Sequence, residues 1–217
     1  MPSTLRALVV VGGDDTHHDL LSAAPMLQNL GAAAGFATAR AAGLQRFVDA
    51  RPATADADVY VLYTSGAQFP PEQQEALRAA VAGGKGLVAL HMSNVVGDPE
   101  GRDRTFRDLL GNHYLSHGPG HHEGRHHVDV VERHPVTDGV GTFELFDEYY
   151  EFAFADDAHT VLAERTREDG EKIPVLYVRE VEKGRVVYLA LGHDMRAWGE
   201  PSFQRLVVQA IQWAGRA

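Results

Sequence analysis

A short apolar run, Gly86–Leu90, ends abruptly at His91 within the sequence KGLVALHMSN. A continuous apolar run bounded by turn signals is typical of a strand that is buried on both faces. In open α/β sheets, ligands bind at the carboxyl ends of such strands. His91 is the first polar side chain past this strand, so we expect an active site to lie there.

Strands and helices alternate through the first half of the chain. Besides the central run, the pattern predicts strands at Leu5–Val11, Phe36–Ala41 and Asp58–Tyr63 and helices at 20–34 and Pro70–Ala82. Ser22 is the expected N-cap of the first helix, because Pro25 is tolerated only in a first turn. Asp49–Asp56 is expected to be a loop. This alternation predicts a parallel sheet with right-handed crossovers.

The second half has a different pattern, with short turns between its apolar runs. We expect a helix at Phe106–Leu110, a loop at Gly111–Gly124, strands at Val128–Val131, Phe143–Phe152, Thr160–Ala163, Pro174–Val178 and Val186–Leu191, and a closing helix around 203–211. The short connections favour antiparallel pairing. At 217 residues, the chain is expected to form a single domain, 1–217.

Composition excludes several classes of function. The chain has no cysteine, which excludes disulfides, thiolate metal sites and a cysteine nucleophile. Its net charge of -10 argues against nucleic acid or an anionic membrane as the main partner. The apolar N-terminal run is too short to span a membrane and has no cleavage-site pattern, so we expect a cytoplasmic protein.

The turn after the first strand contains Gly12 and Gly13. A plain tight turn is favoured over a nucleotide-binding loop, because the third glycine and the acidic partner of a dinucleotide motif are missing. The segment Asp14–Asp19 follows, and it either overlooks the same sheet edge as His91 or serves as an acidic helix cap. The sequence leaves both interpretations open.

Six of the twelve histidines fall within His113–His127. A zinc site needs three or four convergent ligands, and the glycines of this segment offer little rigidity. We therefore expect most of these side chains to be solvated. His117 is the exception, because Gly118 and Pro119 fix the backbone beside it.

Asp147 and Glu148 form a carboxylate pair between apolar residues. On a strand they point to opposite faces, so one is expected to point inward, where burial would raise its pKa. That is the profile of a general acid or base. The alternative is a solvated edge strand. His193 follows Val186–Leu191, a second buried strand that ends in histidine, and its alternative role is structural.

Taken together, these segments resemble the ThuA-like (trehalose utilisation) family of the class I glutamine amidotransferase-like superfamily. The matching segments, in order, are VVVGGDDTHHD, DVYVLY, GGKGLVALHMS, LLGNHYLSHGP, VVERHPVTDGV, FELFDEYY and the ending GRVVYLALGHDMRAWGEPSFQRLVVQAIQWA. The resemblance implies a flavodoxin-like three-layer α/β/α sandwich. Its sheet would be mostly parallel, with some antiparallel strands in the C-terminal half.

The resemblance also implies a site. Amidotransferases carry a cysteine nucleophile at a strand–turn–helix elbow and a histidine after a late strand, and here His91 and His193 stand at those places. Without a thiol, amidotransfer through a thioester is excluded. Ser93 as nucleophile is disfavoured, because its neighbours lack the small residues of a sharp elbow. The positions that the resemblance carries over are His17, Asp19, His91, His117, Asp147, Glu148, Tyr150, His193 and Asp194. The extra Asp14 and Asp15 depart from the family pattern.

We therefore expect an enzyme that acts on a disaccharide such as trehalose, or on a 3-keto-sugar, as a hydrolase or lyase. His91 and Glu148 would move protons, and His193, oriented by Asp194, would bind a hydroxyl. His17 and His117 would line the pocket. A divalent metal (zinc, manganese or nickel) held by His117 and His193 fits nitrogen and oxygen ligands without sulfur.

Two further hypotheses stay open at this point. The first is a non-catalytic sugar-binding or regulatory module that kept the fold without the thiol. The second is a structural subunit of a larger assembly, in which an exposed Trp198 would form the interface; the alternative for Trp198 is a lid over the site. Homo-oligomer formation is allowed by the resemblance, and neither nucleic acid nor a membrane is an expected partner.

Overall fold

The computed structural model describes residues 4–13, 16–49, 51–97 and 104–216. Within these ranges the strands are β1 (Arg6–Gly13), β2 (Ala37–Ala42), β3 (Val59–Ser65), β4 (Ala67–Gln68), β5 (Gly86–Leu90), β6 (Val96–Gly97), β7 (Asn112–Ser116), β8 (Glu123–Val130), β9 (Phe143–Glu148), β10 (Glu151–Phe154), β11 (Thr160–Thr166), β12 (Lys172–Val181) and β13 (Gly184–Leu189). The helices are α1 (Leu20–Ala33), α2 (Arg46–Asp49), α3 (Pro52–Ala55), α4 (Pro71–Ala82), α5 (Thr105–Leu110), α6 (Met195–Trp198) and α7 (Pro201–Ala214). Short 3₁₀ helices cover His91–Asn94 and Pro135–Thr137.

Nine of the described strands form one main sheet in the order β2-β1-β3-β5-β13-β12-β11-β8-β9. The pairings from β2 to β13 are parallel, and those from β13 to β9 are antiparallel. Following these pairings, β12 and β8 run opposite to the other seven strands. The mostly parallel sheet with antiparallel strands in the C-terminal half is thus confirmed, and β1, β5, β9 and β13 all end at the same edge.

The central strands are buried because their sequences are apolar without interruption. Every residue of β5 is buried, and β3 is buried from Val59 to Thr64. Helix α7 covers this part of the sheet with the apolar face predicted for it, which comprises Phe203, Leu206, Val207, Ala210 and Ile211. Helix α1 packs against β1, β2 and α7, whereas α4 packs against α2 and α5. These two helix layers around the sheet confirm the three-layer architecture.

The main sheet curves strongly at its antiparallel end. Strand β9 lies four positions from β13, which in a flat sheet would be a separation of roughly 19 Å. Yet the Asp147 side chain at the end of β9 accepts a hydrogen bond of 2.7 Å from the backbone N–H of Gly192, just after β13. The curvature therefore brings the end of β9 onto the ends of the central strands.

Two details of the first half differ from the expectations. Helix α1 begins at Leu20, as its apolar spacing predicts, but its N-cap is Asp19 rather than Ser22, and the Asp19 carboxylate accepts from the N–H of Ser22. Pro25 consequently lies in the second turn. The predicted loop at Asp49–Asp56 contains α3, which Pro52 starts. Asp14 and Asp15 lie outside the described residues.

The second half holds two larger differences. The predicted loop at Gly111–Gly124 contains β7, which pairs antiparallel with β10. The predicted strand at Phe143–Phe152 is two strands, β9 and β10, separated by Tyr149 and Tyr150. Both errors arise because β7 and β10 are stabilised by each other across a long loop, which local periodicity cannot reveal. Among the described residues, none of the helices combines the length and apolar character of a membrane span.

Candidate active site

The carboxyl edge of the main sheet gathers side chains from four separate segments. His18 follows β1, His91 follows β5, Glu148 ends β9 and His193 follows β13. Because these strands run in the same direction and β9 curves back, their ends meet. The ring centroids of His18, His91 and His193 lie within 5.4 Å of one another.

His91 stands at a sharp elbow between β5 and the 3₁₀ helix. Its φ of +48° lies in the left-handed region, which is uncommon for any residue other than glycine. Its Nδ1 lies 2.8 Å from the carbonyl oxygen of Ala190, so Nδ1 carries a proton and donates it there. The ring is fully buried, and its Nε2 lies 3.1 Å from Oε2 of Glu148.

Glu148 is the centre of the histidine cluster. Its Oε2 lies 3.1 Å from Nδ1 of His193 and 3.7 Å from Nε2 of His18. Its Oε1 lies 3.0 Å from Nε2 of His117, whose Nδ1 is 2.9 Å from the hydroxyl of Tyr114. Four imidazole rings therefore surround one carboxylate.

These contacts reverse the expected direction of the Glu148 pKa. Burial alone would raise the pKa of this carboxyl, as the sequence predicts. The contacts with His18, His193 and His91 outweigh burial and hold the pKa of Glu148 well below its usual range. Glu148 is therefore an ionised carboxylate rather than a proton-donating acid.

The pKa values of the surrounding histidines shift in two directions. Burial lowers the pKa of His18 and of His117, and the nearby Glu148 only partly compensates. For His193, burial is the largest single influence and acts to lower the pKa, but the contacts with Glu148, together with the charges of Asp147 and Asp194, outweigh burial and raise the pKa. His18 and His117 are thus neutral bases at neutral pH, whereas His193 holds a proton more readily.

Asp147 is the buried member of the carboxylate pair, but its side chain binds backbone N–H groups rather than facing the histidines. Its carboxylate accepts N–H bonds from Gly192 at 2.7 Å, from His193 at 2.9 Å and from Glu148 at 2.9 Å. These bonds fix the His193 backbone and close β9 onto β13. Asp147 therefore positions the site, while Glu148 faces the histidines.

Tyr150 forms one wall of the cluster. It is buried, and its ring centroid lies 4.3 Å from that of His91 and 5.2 Å from that of His117. Burial, with the Glu148 charge nearby, raises the pKa of Tyr150. Its hydroxyl therefore stays protonated at neutral pH.

Ser93 and Asp194, both expected at the site, have structural roles instead. Ser93 is fully buried, and its Oγ donates to the carbonyl of Leu62 and accepts from the N–H of Thr64, so it presents no group to a ligand. Asp194 does not orient His193, because its carboxylate caps α6 and binds Arg196.

Trp198 is likewise neither an exposed interface residue nor a lid. It is fully buried, and its indole N–H donates to the carbonyl of Gly192 at 3.1 Å. The same carbonyl accepts from the hydroxyl of Tyr63 at 2.7 Å. Trp198 therefore supports the turn that carries His193 from behind.

At the turn after β1, the histidine that enters the cluster is His18 and not the expected His17. His17 is exposed, whereas His18 is buried, with its Nδ1 3.2 Å from Oγ of Ser65. Asp19 caps α1, so its carboxylate does not bind at the pocket. The adjacent pair His17 and His18 indicates that a histidine lies at this turn, but the sequence does not show which of the two points inward.

The residues that could hold a metal also differ in part from those expected. Among the described residues, His18, His91, His193 and Glu148 each offer one ligand atom, and these atoms lie within 4.8 Å of one another. His193 belongs to this set, but His117 does not. Within the histidine-rich segment, His121, His122 and His127 are exposed, as expected, whereas His126 is buried.

A cavity of about 750 Å³ adjoins the cluster at His117. Its lining includes the ring of Tyr149 and the buried guanidinium of Arg165, whose Nε and Nη2 have no hydrogen-bond partner within the described ranges. Glu151 lies 3.7 Å from Nη2 of Arg165. The cavity therefore places an aromatic ring next to His117, with the Arg165 guanidinium 4.8 Å from the centroid of that ring.

Comparison with known proteins links the chain to one family. The sequence model described as ThuA, trehalose utilisation, matches residues 6–214. No curated protein sequence matches the chain.

Solved structures resemble the fold at low sequence identity. A ThuA-like protein of Bacteroides uniformis is 16% identical with a TM-score of 0.80, covering 99% of this chain and 93% of that one. One from Parabacteroides merdae is 16% identical with a TM-score of 0.79, covering 98% and 90%. A cytoplasmic protein of Salmonella typhimurium is 14% identical with a TM-score of 0.64, covering 95% and 98%. At these identities, the likeness demonstrates the fold alone.

Proposed function

Because the chain belongs to the trehalose utilisation (ThuA-like) family, we propose that it is an enzyme of carbohydrate catabolism. Its substrate is a disaccharide such as trehalose or a 3-keto derivative of one, and it acts as a hydrolase or lyase. The observation that carries this proposal is the convergence of four imidazole rings on the Glu148 carboxylate. Perturbed titratable groups gathered beside a cavity are typical of acid–base sites.

The solvent exposure of each side chain in the cluster indicates which of them can contact a substrate. The side chains of His117, Glu148 and His193 are 24%, 14% and 14% exposed, so these three can touch a substrate. His91 is 0% exposed and lies behind Glu148, which makes it a positioning residue rather than the proton carrier expected from the sequence. The substrate-facing groups are thus one neutral base, one carboxylate and one histidine held by Asp147.

His117 is the residue best suited to move a proton. The lowered pKa of His117 leaves its ring neutral, with the Nε2 proton directed at Glu148. The basic lone pair is on Nδ1, where the substrate would replace the hydroxyl of Tyr114. In a 3-keto-glycoside, a base can remove the proton α to the ketone. The resulting imidazolium can return that proton to the departing glycosidic oxygen, after which water adds to the double bond. Glu148 stabilises the imidazolium during this exchange.

The cavity beside His117 supports a sugar as the ligand. The lining combines charged side chains such as Asp129 and Arg167 with the ring of Tyr149, and sugars are bound by polar groups together with aromatic faces. We further propose a cytoplasmic location, supported by the description of the Salmonella neighbour, with neither nucleic acid nor a membrane as partner.

The experiment is a turnover assay on trehalose and its 3-keto derivative, with product release measured by chromatography. Wild type is expected to convert one of them, and Glu148→Gln to lower kcat/KM by about 100-fold or more. The matched control is Glu144→Gln, since Glu144 lies on the same strand, is exposed and pairs with Arg125. Equal rates for Glu148→Gln and wild type would contradict the proposal.

The alternative function is a sugar-binding or regulatory module without turnover. The complete burial of His91, the residue at the elbow, is the observation that favours it. Binding of either sugar by calorimetry, with no product formed by wild type, would support this alternative and overturn the enzyme assignment.

A further inference from the structure

In the cluster around Glu148, a ring nitrogen and a carboxylate oxygen face each other without a hydrogen atom assigned between them. His91 donates its Nδ1 proton to the carbonyl of Ala190, so in the neutral ring Nε2 is a lone pair. That lone pair points at Oε2 of Glu148, another acceptor, at 3.1 Å. Two acceptors at this distance require a proton or a cation between them.

The other two rings bring further nitrogen atoms to the same carboxylate oxygen. Nε2 of His18 and Nδ1 of His193 are buried and have no hydrogen-bond partner within the described residues. Both atoms nevertheless face Oε2 of Glu148, at 3.7 Å and 3.1 Å. Protons would have to satisfy these contacts one at a time, whereas one cation is bound by all four ligand atoms together.

The four groups are also held rigidly. His91 is fixed by its elbow and by the Ala190 carbonyl, and His18 is held at its other nitrogen by Oγ of Ser65. The His193 backbone is fixed by Asp147. The other oxygen of Glu148 contacts Nε2 of His117 at 3.0 Å. Since each ligand has a supporting contact, the set is arranged before any ion arrives.

We propose that His18, His91, His193 and Glu148 bind one divalent cation. Three imidazole nitrogens and one carboxylate oxygen, in a chain without cysteine, are the ligands that zinc accepts in tetrahedral sites, with manganese and nickel as the other ions of this ligand class. The ligand atoms lie within 4.8 Å of one another, so they surround a single ion rather than two.

His117 lies outside the ligand set and keeps a separate task. Its Nε2 contacts the other carboxylate oxygen of Glu148, Oε1, at 3.0 Å, so it reaches the site through a ligand. A second acidic group, formed by Glu123, His193 and Asp194, is a weaker candidate because Arg196 already binds both carboxylates.

The ion would act as a Lewis acid by taking a sugar carbonyl or hydroxyl oxygen as a fifth ligand, leaving the proton transfer to His117. This catalytic role rests on the function proposed above, whereas the binding of the ion does not. Metal binding can therefore be measured without any substrate.

The experiment titrates chelator-treated protein with ZnCl₂ and, separately, MnCl₂ by isothermal calorimetry. Wild type is expected to bind one equivalent of at least one of these ions, and Glu148→Gln and His193→Ala are expected to weaken binding at least tenfold. The matched control is the double variant His121→Ala/His122→Ala, which removes two exposed histidines of the glycine-rich segment and is expected to bind as wild type does.

Absence of saturable binding to wild type overturns the proposal. Binding lost in the double variant but kept in Glu148→Gln overturns it as well, because the exposed histidines would then be the chelator. Far-UV circular dichroism verifies that each variant folds. If Glu148→Gln or His193→Ala fails to fold, the proposal is tested by the visible absorption spectrum of Co²⁺ bound to wild type. The spectrum of tetrahedral nitrogen and oxygen ligation is expected, and an octahedral spectrum contradicts the proposal. Sugar turnover that persists in metal-free protein would overturn only the role of the ion in catalysis.

Discussion

The carboxylates of Asp147 and Glu148 are adjacent in sequence and make different contacts. Asp147 is buried and accepts three backbone N–H bonds, whereas Glu148 contacts imidazole rings. The difference follows from their position at the end of β9, where the strand turns back onto β13. Asp147 fixes the end of β9 against the turn after β13, and Glu148 contacts the histidines gathered at that edge.

Asp147→Asn is expected to lower the free energy of unfolding by about 1–3 kcal/mol, because the amide group offers one acceptor oxygen where the carboxylate offers two. The backbone N–H of Gly192 or of His193 would then face an NH₂ group. Urea unfolding measures the change. The control is Asp157→Asn, since Asp157 is exposed, and a loss for Asp147→Asn no larger than that of the control would contradict this role.

His134 provides a pH prediction away from the cluster. Its Nδ1 accepts the N–H of Val136 and so caps a 3₁₀ helix, and burial, together with the charge of Arg185, lowers the pKa of His134 despite the nearby Glu132. Because the unfolded ring takes up a proton first, the stabilising contribution of His134 is complete above about pH 6.5 and falls as the pH drops below that value.

The measurement is the melting temperature of wild type and of His134→Asn between pH 7.5 and pH 5, a range chosen to bracket the ordinary histidine value. Asparagine can accept the same N–H without titrating. Wild type is expected to lose stability relative to the variant as the pH falls. Parallel curves would show that protonation of His134 is not opposed by folding.

At the scale of elements, the site depends on strands that end together and on helices packed closely behind them. Strand β5 begins at Gly86, where a Cβ atom would lie 2.5 Å from the backbone carbonyl oxygen of Ala214 in α7. A close approach of this kind, made to backbone, cannot be relieved by a side-chain rotation. It fixes the distance between α7 and the strand that carries His91.

Gly86→Ala is therefore expected to destabilise the protein by about 1–3 kcal/mol through overpacking. The matched control is Gly141→Ala, since no atom lies within 4 Å of a Cβ at Gly141, and its effect is expected to stay within about 0.5 kcal/mol. Chemical denaturation of both variants measures this. Equal stability of the two variants would mean that α7 moves freely on β5.

At the scale of the whole molecule, one curved sheet joins the parallel and antiparallel halves. Because β9 closes onto β13, neither half can complete the site alone. We propose on this basis that the chain forms one domain that unfolds in one step. Far-UV circular dichroism and tryptophan fluorescence, which reports on buried Trp198 and partly buried Trp213, are expected to give coincident urea transitions. Separate midpoints would contradict a single domain.

Much of this arrangement can be predicted from the sequence, because continuous apolar runs identify the buried strands and the first polar residue after each run identifies the edge. His91 and His193 follow from that reasoning, as does the parallel sheet of the first half, whereas the three-layer fold is implied by the family resemblance. The sequence also indicates the carboxylate pair of Asp147 and Glu148, but not which of the two faces the cleft. The choice of His18 over His17 depends on the path of one turn, and the backbone contacts of Ser93, Asp194 and Trp198 depend on segments distant in sequence. Neither is visible in local periodicity.

The most direct test of the central claim is crystallography of zinc-soaked protein with anomalous diffraction at the zinc edge. The account predicts one strong anomalous peak about 2.0–2.2 Å from Nε2 of His18, Nε2 of His91, Nδ1 of His193 and an oxygen of Glu148. A peak only at the exposed histidines His121 and His122, or no peak within the cluster, would contradict the account.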